Sequence, residues 1–342
     1  MKAVKLEEGA ISVRDVDVPE PGPDEVRVHL SASGVCHSDL HLARGDWMGV
    51  PNTGDLGHEG IGVVEALGPG AERFLAVGDR VIVGLGGMGG GYWCGACEFC
   101  LSGRTRLCAQ SKPLLGTFAE QIVVWAPAAV KLPDSIGDED APLACGGLTA
   151  YGAVRKLLKH GIEPGSTIAI VGAAGGLGHY AVQIANAFGY RVLGVDVGED
   201  RLEFVRGLGA WRAVSADDAV AVAQGELGGV DAVLVFAARL AGFELGLQLL
   251  RRAGLFVAVG IPPSSDGNLQ LNPWHMFLTD PTIIYSAVGT VQEMRELVDL
   301  AAAGRVKTHV SRTGPLSDVP AIFEELEAGS YLGRAVVTDL TR

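Results

Sequence analysis

The feature that most constrains the fold of this chain is a run of four closely spaced cysteines in the stretch CGACEFCLSGRTRLC. The spacing is C-x2-C-x2-C-x7-C, and its members are Cys94, Cys97, Cys100 and Cys108. Four thiolates so close in sequence meet on one tetrahedral ion only if the backbone folds back on itself, which Gly95 and Gly103 make easier. Zn²⁺ is the natural occupant of such a closed site, which would hold a lobe together and do no chemistry.

Two other interpretations of the cysteine run exist. A pair of disulfides is disfavoured because the N-terminus, MKAVKLEEGA, lacks the apolar core of a secretory signal. An iron–sulfur cluster stays open at this point, because its cysteine spacing can be similar. Six cysteines in a chain without an export signal point to metal ligation and to the cytoplasm.

Length and charge exclude several classes of protein. A chain of 342 residues suggests two domains with a large core, and its 48% hydrophobic content is typical of a globular protein. The net charge is −13 and there is no concentrated run of Lys or Arg, so we expect no nucleic-acid partner. The most apolar region, residues 168–195, is interrupted by glycines and polar residues, so we expect no membrane span.

Two further cysteines and one histidine suggest a second metal site. Cys36 lies in GVCHSDLH, His58 in GHEGIGVV and Cys145 in APLACGGLTAYGAV. Taken singly, each has an ordinary alternative, because a lone cysteine is usually a small buried hydrophobe and a lone histidine a satisfied core residue. Together they form a Cys/His/Cys set that leaves the fourth position of zinc open, as a catalytic zinc requires.

Two glycine-rich stretches invite comparison with phosphate-binding loops. The first, residues 84–92, leads into the cysteine run rather than a helix, so we interpret it as a flexible approach to that lobe. The second, GAAGGLG, follows the apolar strand TIAIV and precedes the helical stretch HYAVQIANAFG, which is the full context of a dinucleotide-binding turn. Gly172 would allow the tight turn, and Gly175 and Gly176 would let the backbone approach a pyrophosphate. Gly178 would let the helix pack closely on the strand.

An acidic residue ends the next strand, RVLGVD, eighteen residues after the last of these glycines. Asp196 could accept hydrogen bonds from both ribose hydroxyls and would repel a 2′-phosphate, which favours NAD over NADP. The alternative is that it only caps the helix that starts near Glu199. Further alternation of strands and helices to about Pro281 predicts a doubly wound parallel sheet.

With these motifs in order, the chain resembles the zinc-containing medium-chain alcohol dehydrogenases, most closely their yeast and bacterial tetrameric branch. The resemblance covers nearly the whole chain and rests on GVCHSDLH, GHEGIGVV, VGDRV, CGACEFC…LC, ACGGLTAYGA, VGAAGGLGH with RVLGVD, and GRAVV. It implies an α/β fold with a GroES-like β-rich catalytic domain and a Rossmann cofactor domain. The implied boundaries are 1–147 for the catalytic domain, with its zinc lobe at about 92–110, 148–284 for the NAD domain, and 285–342 for the return to the first.

The resemblance also implies roles for matched residues. Cys36, His58 and Cys145 would bind catalytic zinc, with Asp39 behind the histidine and Glu59 behind the metal. Ser38 would take the alcohol proton and His41 would pass it on from the cofactor ribose to solvent. Trp47 would form a wall of the substrate pocket, although ordinary core packing explains it equally well. The further cofactor contacts that we assign are His37, Thr149, Leu177, Arg201 and Arg334.

The implied activity is the reversible, zinc-dependent oxidation of primary and secondary alcohols to aldehydes and ketones, with hydride transfer to NAD. The implied cofactors are two Zn²⁺ per chain and NAD(H), and the implied assembly is a homotetramer or a homodimer. There are two alternatives. The enzyme acts on an unusual carbonyl substrate, such as a cyclic or activated ketone, or the protein has kept the fold and lost catalytic turnover. The segment 111–117 is shorter than usual at a place where relatives shape the substrate pocket. The sequence gives no explanation for Asp55.

Overall fold

The structure is a computed structural model that describes residues 1–47, 54–87 and 89–342. The first part of the chain contains strands β1 (Lys2–Glu7), β2 (Ala10–Asp15), β3 (Glu25–Val35), β4 (Gly60–Leu67), β5 (Arg80–Val83), β6 (Gln121–Trp125) and β7 (Val130–Lys131), and helices α1 (His37–Arg44), α2 (Glu98–Leu101) and α3 (Gly146–Lys159). A 3₁₀ helix, Asp138–Ala144, leads into α3.

The middle part alternates strands and helices. Its strands are β8 (Thr167–Val171), β9 (Arg191–Asp196), β10 (Arg212–Ser215), β11 (Val230–Val235), β12 (Leu250–Ala258) and β13 (Thr282–Tyr285), and its helices are α4 (Gly178–Ala187), α5 (Glu199–Gly207), α6 (Leu240–Leu249) and α7 (Pro273–Thr279). The last part contains α8 (Val291–Ala302), β14 (Val310–Pro315), α9 (Val319–Glu327) and β15 (Arg334–Asp339).

The chain divides into two compact units. The first contains Met1–Leu148, Gly289–Gly304 and Thr308–Arg342, and the second contains Thr149–Val288 and Arg305–Lys307. The C-terminal segment therefore belongs mainly to the same unit as the N-terminal segment.

The first unit is organised on a largely antiparallel sheet with the strand order β14-β15-β3-β4-β5-β7, with β6 paired to β3. Along β3, alternate side chains enter the core, where Val26, Val28 and Leu30 are buried. Strands β3 and β4 are antiparallel, with Ser33 opposite Gly60. This register places the residues just after β3 beside those just before β4.

The second unit contains a six-stranded parallel sheet with the order β10-β9-β8-β11-β12-β13. This is the doubly wound order expected of a dinucleotide-binding unit, and it confirms the predicted α/β class. Strand β8 is buried almost throughout, as the unbroken apolar run TIAIV requires of a central parallel strand. Within the described residues, no helix has the length and apolar character needed to cross a bilayer.

Candidate active site

The Cys/His/Cys set converges in the first unit. Cys36 follows β3 directly, His58 precedes β4, and Cys145 lies at the junction of the 3₁₀ helix and α3. The antiparallel register of β3 and β4 brings the first two together, and the 3₁₀ helix brings the third. The ligand atoms of Cys36, His58, Glu59 and Cys145 all lie within 4.8 Å of one another, and all four residues are buried.

Asp39 ties two of these residues together. One carboxylate oxygen, Oδ2, accepts a hydrogen bond from the backbone N–H of Cys36 at 3.2 Å and forms part of a capping box at the start of α1. The other, Oδ1, lies 2.8 Å from His58 Nδ1 and 2.9 Å from the backbone nitrogen of Gly57. Because the carboxylate is a hydrogen-bond acceptor, it fixes the proton of His58 on Nδ1 and leaves Nε2 free to bind a metal.

Glu59 is held from two sides. Its Oε1 accepts a hydrogen bond from the backbone nitrogen of Gly146 at 3.1 Å, and its Oε2 accepts one from Arg334 at 2.5 Å. Arg334 is itself buried and also donates to the carbonyl of Val35 at 2.8 Å. Burial raises the pKa of Glu59 to about 7, although the Arg334 guanidinium opposes that shift. A Cβ at Gly34 would lie 2.2 Å from Glu59 Oε2, so any larger residue at this position must displace that carboxylate.

The residues present fit a zinc ion. His58 Nε2 is buried and, among the described residues, has no hydrogen-bond partner. Cys145 and His58 hold the pKa of the Cys36 thiol well below its usual value, which favours the thiolate form that binds metal. Two sulfur donors and one imidazole nitrogen match the donor set of catalytic zinc sites.

Gly84 and Gly87, at the start of the first glycine-rich stretch, pack on the candidate metal ligand His58, which the sequence did not indicate. A Cβ at Gly84 would lie 1.9 Å from the His58 carbonyl oxygen, and one at Gly87 would lie 3.0 Å from the His58 Cβ. The backbone nitrogen of Leu114 in turn donates to the carbonyl of Gly87 at 2.9 Å. These glycines therefore allow close approach to His58.

The residues assigned to proton transfer lie on α1. Ser38 and His41 are three residues apart, which places them on one face of the helix. His41 is buried, its Nδ1 lies 2.8 Å from Asp46 Oδ2, and its ring centroid lies 5.0 Å from that of Trp47. Trp47 also packs against the core of this unit, as the alternative of ordinary core packing predicts. His37 is exposed at the start of the helix, 6.2 Å from the His41 ring.

The four-cysteine lobe forms a second candidate metal site in the first unit. The sulfur atoms of Cys94, Cys97, Cys100 and Cys108 lie within 4.8 Å of one another. All cysteines are free, and the sulfurs of Cys94 and Cys100 are 3.9 Å apart, against about 2.05 Å for a disulfide, so the disulfide alternative is wrong. Backbone N–H groups of Ala96 and Cys97 lower the pKa of the Cys94 thiol to about 6. Gly95 and Gly103 both have positive φ, as the expected reversal of the backbone requires.

The lobe is anchored by aromatic contacts and a short backbone bridge. The rings of Tyr92 and Trp93 lie 4.8 and 4.9 Å from that of Trp125 on β6. Tyr92 pairs with Lys112, which closes the lobe beside the segment 111–117.

Asp55, unexplained by the sequence, forms an ion pair with Lys5 across a second short backbone bridge.

In the second unit, the GAAGGLG turn links β8 to α4. Gly172 has a φ of 82°, and a Cβ at Gly178 would lie 2.0 Å from the Gly172 carbonyl oxygen. Gly175, Gly176 and Leu177 form the partly exposed crest of the turn. The turn thus has the strand–glycine–helix geometry that can receive a phosphate at a helix N-terminus.

Asp196 ends β9 beside this turn. Its Oδ2 accepts a hydrogen bond from the backbone nitrogen of Ala174 at 2.7 Å, and its Oδ1 accepts one from Val197 at 2.9 Å. Arg201 lies 4.0 Å from the same carboxylate. Helix α5 begins after Gly198 without a side-chain cap, so the alternative that Asp196 caps this helix is wrong. Thr149 is buried on α3.

Comparisons with known proteins agree with this geometry. The chain matches the family models of the alcohol dehydrogenase GroES-like domain over residues 22–134 and of the zinc-binding dehydrogenases over residues 176–303. It is 39% identical to an alcohol dehydrogenase of Geobacillus stearothermophilus, over 98% of this chain and 99% of that protein.

Two solved structures are similar throughout. The alcohol dehydrogenase of the hyperthermophilic archaeon Aeropyrum pernix has a TM-score of 0.89 and 33% identity, covering 99% of this chain and 100% of that one. The acetophenone reductase of Geotrichum candidum, solved in complex with NAD, has a TM-score of 0.84 and 30% identity, covering 99% and 97%.

The fold and the two cysteine-containing sites thus define a zinc-binding dehydrogenase. The chain belongs to the zinc-containing medium-chain alcohol dehydrogenases, with a GroES-like domain and a Rossmann domain. It is an oxidoreductase whose cofactors are zinc, at two sites per chain, and NAD.

Proposed function

We propose that this chain oxidises primary and secondary alcohols to aldehydes and ketones, reversibly and with NAD, at the centre formed by Cys36, His58 and Cys145. The observation that carries the proposal is the convergence of these buried donors around His58 Nε2, which has no hydrogen-bond partner among the described residues. When bound there, zinc supplies a Lewis acid that polarises the alcohol or carbonyl oxygen. Glu59 and Arg334 support the centre from behind, and Asp39 orients its histidine.

The chain's own residues would move the proton. In this proposal the Ser38 hydroxyl takes the proton that the alcohol loses, and His41, one turn further along α1, carries it towards solvent. A histidine is suited to this task because its charge changes near neutral pH. Trp47 packs against His41 and would form part of the wall of the substrate pocket.

The second unit would bind the cofactor. We assign residues 148–284 to the NAD domain, and residues 1–147 and 285–342 to the catalytic domain, which the division into compact units supports. The pyrophosphate would lie on the Gly172–Gly178 turn, and Asp196 would select NAD by repelling a 2′-phosphate. The contacts of His37, Thr149, Leu177, Arg201 and Arg334 with cofactor are part of the same proposal.

The test is the formation of NADH or NADPH by the purified protein with short, branched, cyclic and aromatic alcohols, and their consumption with the matching aldehydes and ketones. We expect turnover of several alcohols, and a kcat/KM at least about tenfold higher with NAD than with NADP. The panel includes acetophenone because one of the similar solved structures is that of an acetophenone reductase. If a protein that holds two zinc ions and binds NADH turns over nothing in either direction, the proposal is wrong.

We further propose that the chain forms a homotetramer or homodimer in the cytoplasm. Strand β13 is an edge of the parallel sheet, and Tyr285 on it is 76% exposed. Beside it in sequence, Trp274 and Phe277 on α7 are 67% and 76% exposed, an apolar surface typical of a subunit contact. Light scattering after size exclusion should give a mass of two or four times 35.5 kDa, and a monomer would contradict the assembly. Six free cysteines fit a reducing compartment, which cell fractionation can test.

A further inference from the structure

Helix α1 ends in a turn that directs the next residues back onto the helix. Gly45 has a φ of 68°, its backbone nitrogen donates to the carbonyl of Leu42 at 3.3 Å, and that of Asp46 donates to the carbonyl of His41 at 3.1 Å. This pair of bonds is a Schellman motif, which depends on the left-handed glycine. The motif brings the two residues after the glycine, Asp46 and Trp47, against one side chain of the helix, His41.

The contact with Asp46 determines which nitrogen of His41 carries a proton. Asp46 Oδ2 lies 2.8 Å from Nδ1, and a carboxylate only accepts hydrogen bonds, so Nδ1 is the protonated nitrogen. The opposite nitrogen, Nε2, is buried and has no hydrogen-bond partner among residues 1–47, 54–87 and 89–342. In the neutral ring, Nε2 is therefore an acceptor with nothing bound to it.

We propose that Asp46 is a positioning residue of the alcohol dehydrogenase reaction, which keeps His41 in the tautomer that can accept the substrate's proton at Nε2. The inference rests on the proposed function, in which His41 carries that proton. Uptake forms an N–H bond at Nε2 and breaks the O–H bond of the donor, which leaves an imidazolium with both nitrogens protonated. The Asp46 carboxylate stabilises this cation until the proton is released to solvent.

The surroundings of His41 bear on the pH dependence. On α1, the imidazole of His37 lies one turn earlier, 6.2 Å between ring centroids, and disfavours a second positive charge. Arg44, in the last turn, forms an ion pair with Glu327 of α9 and is thereby partly neutralised. The Trp47 ring, with its centroid 5.0 Å from that of His41, carries no charge. Asp46 is thus the anion in direct contact with His41.

The experiment compares Asp46→Asn with His41→Gln and with the double variant. Asparagine keeps the shape but removes the charge and no longer requires the proton to be on Nδ1. We expect kcat for alcohol oxidation to fall roughly tenfold below neutral pH and to recover at high pH, with KM for NAD and zinc content unchanged. Asp46→Glu should restore most of the rate. Asp46→Ala, which offers no acceptor at all, should reproduce the loss.

The double variant separates a role through His41 from any other. If Asp46 acts through His41, the double variant is no slower than His41→Gln, because the two losses are not additive. The inference is overturned if Asp46→Asn lowers kcat by the same factor in the His41→Gln background as in the wild type. It is also overturned if Asp46→Asn has a normal kcat while His41→Gln is slow. Either result leaves the proton relay through His41 intact. A normal pH–rate profile for His41→Gln would instead remove His41 from the proposed function.

A matched control removes a different carboxylate at the same end of the helix. Glu327 accepts two hydrogen bonds from Arg44, has no hydrogen bond or ion pair with His41 among the described residues, and forms a pair with Arg44 that is about half exposed. Glu327→Gln should leave the pH–rate profile unchanged, because exposed ion pairs contribute little. A loss equal to that of Asp46→Asn would show that general charge near α1, rather than contact with His41, controls the rate, and would contradict the inference.

Discussion

The two candidate metal sites of this chain differ in how far apart in sequence their ligands lie. The four-cysteine lobe takes all its ligands from fifteen consecutive residues, and three of its cysteines are partly exposed. The proposed catalytic centre would take its ligands from positions 36, 58 and 145, and each of these residues is buried. The first depends on local turns and the second on the register of a sheet. A local site can therefore stabilise a fold, whereas the geometry of a dispersed site depends on the fold being formed already.

The same substitution at each site should therefore have different consequences. Cys145→Ala and Cys100→Ala should each lower the zinc content from two ions per chain to one. Cys145→Ala should abolish alcohol oxidation with a small change in thermal midpoint, because the scaffold precedes the site. Cys100→Ala should lower the midpoint by about 3 °C for each kcal/mol of stability lost, because a structural zinc contributes folding energy.

Metal analysis, steady-state kinetics and thermal unfolding measure these effects on the same preparations. If Cys100→Ala abolishes activity while its midpoint is unchanged, the lobe is part of the chemistry and the comparison breaks down.

Asp39 provides a second and smaller contrast, because the lobe has no equivalent of it. Asp39→Asn removes the charge that orients His58 but keeps the shape of the side chain. We expect the affinity of the catalytic centre for zinc to fall about 10- to 100-fold, with the lobe zinc retained. Dialysis against a series of buffered zinc concentrations would show one ion lost early and one late. Simultaneous loss of both would mean that Asp39 stabilises the whole unit.

Two glycines give the smallest expected effect and the sharpest geometric test. A Cβ at Gly34 would lie 2.2 Å from the Glu59 carboxylate, whereas one at Gly95 in the lobe would meet nothing within 4 Å. Gly34→Ala should cost about 1–3 kcal/mol by overpacking and should also weaken catalysis. Gly95→Ala should cost about 1–2 kcal/mol through its φ of 71° alone and should leave kcat unchanged.

Denaturant unfolding gives the loss of stability of each glycine variant, and kinetics at saturating substrate gives its kcat. Equal kcat for both variants would show that Glu59 tolerates displacement.

The sequence predicted the local features well and the dispersed ones only through resemblance. The C-x2-C spacing and the strand–glycine–helix context carry their own geometry, so the lobe and the parallel sheet could be predicted from short stretches. The register that places Cys36 beside His58 involves side chains of two strands and the core beneath them, and no single stretch encodes it.

The supporting contacts were the hardest to foresee. The bonds of Asp39 with Gly57 and His58, the bond from Gly146 to Glu59 and the packing of Gly84 on His58 all join residues far apart in sequence. One missed contact was within reach: a glycine that ends a helix, followed by an aspartate, predicts a turn back onto the helix end, and GD directly follows the LHLAR that ends α1. Asp46 could have been assigned from that signal.

The difference in chain order between the two sites has a consequence for biosynthesis. Every ligand of the lobe has been synthesised once residue 108 is added to the chain, before β6, part of the sheet that supports the other centre. The catalytic centre is complete only after Cys145, and its partner Arg334 arrives almost at the end of translation. The order of the ligands along the chain therefore means that translation completes the ligand set of the lobe before that of the other centre.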